Sequence, residues 1–294
     1  MLKTYTIERI DIHDEQIDSA IRQLILLSFR SQAFLPPGHI ARNMDSYASR
    51  PGFFLVAREM GKIIGCNGFL ANDFELNGRP IVGYQSCWTA TEPSHRRKGV
   101  FKALINEAKK ILKDSGAGFI YGMANEESVP IMTGKLGFTE KPALVARVFR
   151  IPFYRKLYLR KRKIDKTNTC TINEKQVMDH KRKQAPLEVL SFSHGDSWIW
   201  GKLVKKRKLG ILISVFYVGG IQLKREEDLH YLLDEIFRST HVFVIQLISC
   251  QTNSVNDLIR GWKQRKNIRG FVFYDLNKLA FQHFDLMFGA IDVF

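Results

Sequence analysis

Cysteine is scarce in this chain of 294 residues, and Cys66, Cys87, Cys170 and Cys250 stand far apart. No close pair offers a zinc-ligand spacing or a redox dithiol. Buried free thiols in the cytosol are the expected state. The eight histidines form no cluster, so no metal is expected. Long apolar runs are missing too. The longest, Leu209 to Leu223, contains Gly210, Gly219, Gly220 and Gln222, and is too short and interrupted to cross a bilayer. The opening MLKTYTIERIDIHDE brings acids early and lacks the apolar core of a secretion signal. Acids are outnumbered, 29 Asp and Glu against 45 Lys and Arg, for a net charge of +16.

What is present is a soluble globular mixture, 45% hydrophobic and 25% charged. The length suits one large or two ordinary domains. Part of the basic excess is local: Arg155 to Lys183 holds eleven Lys and Arg against three Asp and Glu. A solvated linker is one reading, and weak contact with an anionic surface is another. No base-stacking aromatic motif accompanies the charge, so no specific nucleic-acid partner is expected.

Thr4 to Ile10 alternates as a strand, and Glu15 to Phe29 has the apolar stripe of a helix that Asp14 can cap. Leu35-Pro36-Pro37-Gly38 breaks the chain before a short helix over His39 to Tyr47. Phe53 to Arg58 and Lys62 to Ala71 read as a hairpin about Met60-Gly61, and Asn77-Gly78 marks a second hairpin turn. The strand Ile81 to Ala90 then runs into a basic turn, and Val100 to Leu112 leaves it with helical spacing. Such a turn leaves the first N–H groups of the helix unpaired, at the positive end of its dipole. That is a place for phosphate. Gly99 has no Cβ to obstruct a pyrophosphate, and Arg96, Arg97 and Lys98 add positive charge.

Arg96-Arg97-Lys98-Gly99-Val100-Phe101 resembles the Gln/Arg-x-x-Gly-x-Gly/Ala loop of the GNAT acetyltransferase superfamily, departing from it at Phe101. A second stretch, Ala124 to Phe138, resembles the superfamily's next motif through Asn125, Ser128, Gly137 and Phe138. The resemblance covers Lys3 to about Arg150 and implies acetyl-CoA as co-substrate. Its diphosphate would lie on Arg96, Arg97, Lys98, Gly99, Val100, Phe101 and Lys102. Its pantetheine arm would lie along Thr89, Ala90 and Thr91, where the strand parts from its parallel neighbour Phe119 to Met123. Asn125 and Ser128 would meet polar groups near that arm, with Asn125 also readable as a helix cap. The superfamily often has a Glu base where Gln85 stands and a Tyr acid where Thr133 stands. The substitutes by residue type are Glu92, acting through water, for the base, and Tyr121 or Tyr84 for the acid, with a water as the further alternative. Glu92 also reads as an exposed loop carboxylate.

The second half alternates strands and helices. Strands are expected over Leu187 to Phe192, Gly210 to Val218 (buried), Val242 to Ile248, Phe271 to Tyr274 and Phe284 to Phe288. Helices are expected over Ser197 to Val204, Arg225 to Arg238 and Val255 to Arg265. The expected fold is therefore an α/β, mixed-sheet GNAT-like domain over 1–152, a basic linker or excursion over 153–186, and a second, smaller α/β domain over 187–294. The tail FDLMFGAIDVF and the paired tryptophans resemble two-domain bacterial GNAT-like proteins, which implies a degenerate second copy shaping the acceptor cleft. Packing or homodimer formation is the alternative for it. A C-terminal carboxylate at Phe294 entering the active site is a further expectation from the resemblance. The implied function is cytoplasmic N-acetyl transfer to a primary amine of a small molecule, such as an amino sugar. The alternative is a GNAT-fold acyl-CoA-binding or regulatory protein with weak or no turnover.

Overall fold

The computed structural model describes residues 4–29, 35–45, 47–141, 143–150, 169–184, 188–208, 211–250, 254–257, 265–266, 270–279 and 283–287. In chain order the elements are β1 (Thr6–Ile10), α1 (Glu15–Phe29), α2 (His39–Met44), β2 (Phe53–Glu59), β3 (Lys62–Leu76), β4 (Arg79–Thr91), α3 (Val100–Asp114), β5 (Phe119–Ala124), α4 (Val129–Leu136), β6 (Thr139–Lys141) and β7 (Ala143–Phe149). They continue with β8 (Thr169–Ile172), α5 (Glu174–Gln184), β9 (Val189–His194), β10 (Ser197–Lys208), β11 (Ile211–Gln222), α6 (Asp228–Thr240), β12 (Val244–Cys250), β13 (Arg265–Lys266), β14 (Gly270–Asp275) and β15 (His283–Asp285). The chain divides into two compact units. One holds Met1–Asp73, Ile81–Glu140 and Val272–Leu279, and the other holds Phe74–Pro80, Lys141–Phe271 and Ala280–Phe294. The expected boundary at 152 lies outside the described residues.

In the first unit the strand order is β1-β2-β3-β4-β5-β14-β6. The hairpin turns form where the sequence places them. Met60 and Gly61 have φ of 47° and 80°, and Asn77 and Gly78, in the stretch Phe74–Pro80 counted with the second unit, have 52° and 78°. Two successive positive φ values twist a two-residue turn to match its strands. The Asp14 carboxylate caps α1, accepting from the N–H groups of Gln16 at 2.9 Å and Ile17 at 3.0 Å. β2 shows why its sequence is a continuous apolar run: successive residues face opposite sides of a sheet, and both sides are covered. Leu55 and Ala57 join Val100, Leu104, Ala108 and Leu112 of α3 in one core. Phe54 and Val56 join Ile21, Leu24 and Ile25 of α1 and Ile40 of α2 in the other.

The second unit has a sheet of order β13-β7-β12-β11-β10-β9. β9, β10 and β11 form an antiparallel meander, α6 follows, and β12 returns parallel to β11. Leu229, Leu232, Leu233 and Ile236 of α6 pack on Ile199, Phe216, Val218, Ile245 and Leu247.

Three expectations need correction here. Ser197 to Val204 is strand, not helix, because this segment pairs on both sides, with β9 and with β11. Its aromatic and β-branched residues suit a pleated surface. The helix expected over Val255 to Arg265 is contradicted at both ends: 254–257 is one 3-10 turn and Arg265–Lys266 is strand, with 258–264 outside the described residues. The strand expected to be buried from Gly210 begins instead with exposed Ile211 and Leu212. The basic segment contains β8 and α5 within its described part. Residues 151–168 and Phe294 lie outside the described residues, and with them the reading of the C-terminal carboxylate.

Candidate active site

β4 and β5 run parallel, and their register holds for Gly83↔Phe119, Tyr84↔Ile120 and Gln85↔Tyr121. Gly122 still lies against the Ser86 carbonyl, where an added Cβ would come within 3.2 Å. β4 continues to Thr91 and β5 to Ala124, yet among the described residues no further pairing joins them. The edge of β4 over Ser86 to Thr91 is therefore released on that side. Within it, Trp88 has φ 50°, an unusual conformation for a bulky residue and a local bend in an extended strand. Its indole Nε1 is buried with no acceptor among the described residues, and His39 meets its ring edge-on at 5.7 Å.

From this edge the chain passes through a 3-10 turn, Pro93–His95, into the basic loop. Gly99 is the N-cap of α3, with φ 81° and ψ 8° and no side-chain cap. The first helical bond runs from the Ala103 N–H to the Gly99 carbonyl at 2.9 Å. The N–H groups of Gly99 to Lys102 find no acceptor among the described residues. The space above Gly99 is open: the nearest atom to an added Cβ is the Tyr5 hydroxyl at 3.9 Å. Burial pushes the Tyr5 phenol above its ordinary pKa. Buried Val100 seats the helix start on β3, where only glycine fits, since a Cβ on Gly65 would lie 2.4 Å from Val100 Cγ1. Phe101 packs against the core around α3, so its bulk at the sixth loop position is absorbed inward. Arg96 donates to the Ser28 carbonyl at the end of α1, while Arg97, Lys98 and Lys102 are exposed.

The remaining expected residues fall in distinct places. Gln85 is 1% exposed on β4 beside buried Tyr121, and its carbonyl oxygen has no donor among the described residues. Glu92 is 8% exposed, which corrects its reading as an exposed loop carboxylate. It accepts from Lys62, and its other oxygen lies 2.7 Å from His95 Nδ1. The Lys62 hydrogen bond is the main reason its carboxyl sits below the usual range. His95 Nε2 in turn lies 2.8 Å from Glu59, whose own carboxyl is lowered first by the Thr4 hydroxyl and then by His95. Glu59, Lys62, Glu92 and His95 thus tie the β2–β3 hairpin to the turn just before Arg96. Asn125 and Ser128 bond each other across the turn before α4, which has no side-chain cap. The Ser128 N–H donates to the Asn125 side chain at 2.9 Å, and the Asn125 N–H donates to the Ser128 hydroxyl at 3.0 Å. Thr133 spends its hydroxyl on the Val129 carbonyl at 2.9 Å.

Sequence reasoning missed Tyr5, Glu59, Lys62 and a polar pair on the sheet. Asn67, fully buried, contacts the Ser86 hydroxyl at 3.1 Å and accepts from the Thr89 hydroxyl at 2.7 Å. A signal for Asn67 existed: it is the one amide in the otherwise apolar run IIGCNGFLA. Nothing local marks Tyr5 or Lys62.

The site fits a thioester carrying a diphosphate. Gly99 in its left-handed conformation leaves room above uncapped N–H groups, and the released β4 edge supplies backbone for an extended arm. No group of three or more side chains that could hold a metal occurs among the described residues.

Residues 14–140 match the profile of the acetyltransferase (GNAT) domain family. No curated protein matches the sequence. The fold is similar to Eis1 of Mycobacterium abscessus, at 13% identity and a TM-score of 0.59, covering 93% of this chain and 74% of that one. It is similar to a GCN5-related N-acetyltransferase of Anabaena variabilis, at 11% identity and a TM-score of 0.61, covering 93% and 73%. A GCN5-related N-acetyltransferase of Kribbella flavida gives 12% identity and a TM-score of 0.59, covering 92% and 71%. These likenesses concern the fold. The Arg96–Phe101 loop lies inside the stretch 14–140 that matches the acetyltransferase (GNAT) domain profile, and the neighbours share the fold of that stretch.

Proposed function

We propose that the protein transfers an acetyl group from acetyl-CoA to a primary amine of a small molecule, an amino sugar being the acceptor class of choice, in the cytoplasm. The observation that carries this is the parting of β4 from β5 beyond Gln85 and Tyr121, directly before the open helix start at Gly99. Gly99, Val100, Phe101 and Lys102 would hold the diphosphate through backbone N–H groups, with Arg97 and Lys98 adding charge. The released edge Thr89–Thr91 would bind the pantetheine arm as a further strand, and a backbone N–H there would stabilise charge developing on the carbonyl oxygen. The co-substrate supplies an activated thioester. Gln85 cannot accept a proton, and Glu92 is engaged with Lys62 and His95. The amine would therefore attack from its neutral fraction, losing its proton to water. Tyr121, beside the point of parting, would return a proton to the departing thiolate.

One set of contacts favours a second reading, acyl-CoA binding without turnover: the engaged Glu92, the amide at Gln85 and the occupied hydroxyl of Thr133. Titration calorimetry with acetyl-CoA, followed by CoA release over a panel of amines and amino sugars, separates the two. Turnover on an amine supports transfer, and tight binding with a silent panel supports the second reading. No binding at all ends both.

A further inference from the structure

The second unit ends one side of its sheet in a hairpin of two unlike strands. β10 and β11 pair out to Lys208↔Ile211, with Arg207 opposite Leu212 and Lys206 opposite Ile213. No acid occurs between Lys202 and Ser214. Lys202 pairs with Glu188. Beyond it Lys205, Lys206 and Arg207 are exposed and have no acidic partner among the described residues. The returning strand opens with Ile211 and Leu212, which are 66% and 61% exposed. Neighbours in a strand face opposite sides, so both faces of the hairpin end combine an apolar and a cationic side chain. A third apolar group stands at the same end of the sheet. Phe243, 54% exposed, directly precedes Val244, which is in parallel register with Val215 of β11.

Each half of this surface has a use at an anionic bilayer. Cations near such a surface are drawn to its phosphates, and exposed aliphatic and aromatic side chains enter the boundary between headgroups and acyl chains. A nucleic acid would employ the cations and leave Ile211 and Leu212 in water, since single strands are held by aromatic stacking and charge. A second copy would bring a second charge of +16 to the same patch. We propose that this hairpin end docks the protein on a bilayer surface rich in anionic phospholipid, with Ile211, Leu212 and Phe243 at the headgroup boundary and Lys205, Lys206 and Arg207 on the phosphates. This stands apart from the acetyl-transfer reading and does not depend on it.

Sedimentation of the full chain with phosphatidylglycerol–phosphatidylcholine vesicles at low salt tests it. The protein is expected to pellet with anionic and not with neutral vesicles. Lys205→Gln with Arg207→Gln should weaken partition about 25-fold, at about fivefold per cation. Ile211→Ser with Leu212→Ser should weaken it on the order of tenfold while leaving retention on heparin unchanged. Three outcomes overturn the proposal: no partition of the native chain, either double variant partitioning as the native chain does, or a change of oligomeric state in the apolar variant, which would make the patch a contact between copies. Hydrogen exchange on the native chain needs no variant. Residues 205–208 and 211–213 should be protected by anionic vesicles, and unaltered exchange there also overturns the docking surface.

Discussion

The two units pass from sheet to helix in the same way and then differ at two places. In each, an antiparallel meander ends in a strand, a helix follows, and the next strand lies parallel: β2-β3-β4-α3-β5 in one and β9-β10-β11-α6-β12 in the other. In the first unit the helix opens on Gly99 with no side-chain cap. In the second, α6 also lacks a side-chain cap, but its first N–H groups are taken: those of Asp228, Leu229 and His230 donate to the carbonyls of Arg225, Glu226 and Glu227. Asp228, 1% exposed in the first turn of α6, accepts from the Ser197 hydroxyl at 2.6 Å and from Arg225 at 2.9 Å. Those contacts, Ser197 foremost, hold its carboxyl below the usual range.

The released strand edges differ in the same sense. β11 stays in register with β12 over Val215–Val218, and beyond this the β12 edge is taken up by the chain itself. The Cys250 N–H donates to the Leu286 carbonyl at 3.0 Å, and Ser249 bridges Met287. Gly219 and Gly220 are covered by Trp200 and by the Glu174 carboxyl. A helix start and a strand edge are general features of the fold. They become a site only where the chain leaves both unfilled.

The sharpest way to break the contrast is to give the first unit a carboxylate of its own. Gly99→Glu should lower acetyl-CoA affinity by at least on the order of 100-fold, by charge at the helix start and by strain at a positive φ. Calorimetry showing retained affinity would remove the assignment of the diphosphate site. Native protein should bind one acetyl-CoA per chain.

Next in size is a pH effect confined to the second unit. Burial pushes Glu174 up to about 8, with its carboxyl bonded to the Trp200 indole at 3.1 Å. The folded state holds this proton more tightly than the unfolded chain. Its stabilisation is therefore complete below the unfolded value of about 4.3 and is lost as pH rises through about 8, a change on the order of a few kcal/mol. Urea unfolding followed by tryptophan fluorescence at both ends of that range should show the decline, and Glu174→Gln should flatten it.

Asp228→Ala should cost about 1–3 kcal/mol in unfolding free energy, because Ser197 and Arg225 lose their acceptor. It should leave the stoichiometry of acetyl-CoA binding at one, since Leu286 and Met287 still occupy the β12 edge. A second equivalent bound by this variant would contradict that account. The smallest effect belongs to His95→Ala, which loosens the brace before Arg96 without touching the reacting atoms. The expected result is a rise in KM for acetyl-CoA of roughly three- to tenfold with kcat nearly constant. A matching fall in kcat would instead place His95 in proton transfer.

Much of the chain up to Phe138 is readable locally. The turns at Met60-Gly61 and Asn77-Gly78, the Asp14 cap and the spacing of Val100, Ala103, Leu104 and Ala108 each follow from a few neighbouring residues. The loop Arg96–Phe101 is readable as well, because a glycine between a strand and a helix is a local signal. The failures share a cause. Ser197 to Val204 has a pattern that serves helix or strand, and its two neighbouring strands decide. Glu92 looks like a loop acid until Lys62, from another strand, closes on it. Phe101 looks obstructive until the core receives it.

The sequence by itself determined where the strands and helices up to Phe138 begin, that a glycine turn joins β4 to α3 at Gly99, and that the charge is strongly positive. These depend on contacts within a few residues. The tertiary structure alone decided that β4 and β5 separate past Gln85, that Tyr5 faces Gly99, that Ser197 meets Asp228 at the start of α6, and that Leu286 and Met287 pair with the end of β12. Each of those brings together residues far apart in the chain, and only closure of the sheets fixes which of them meet.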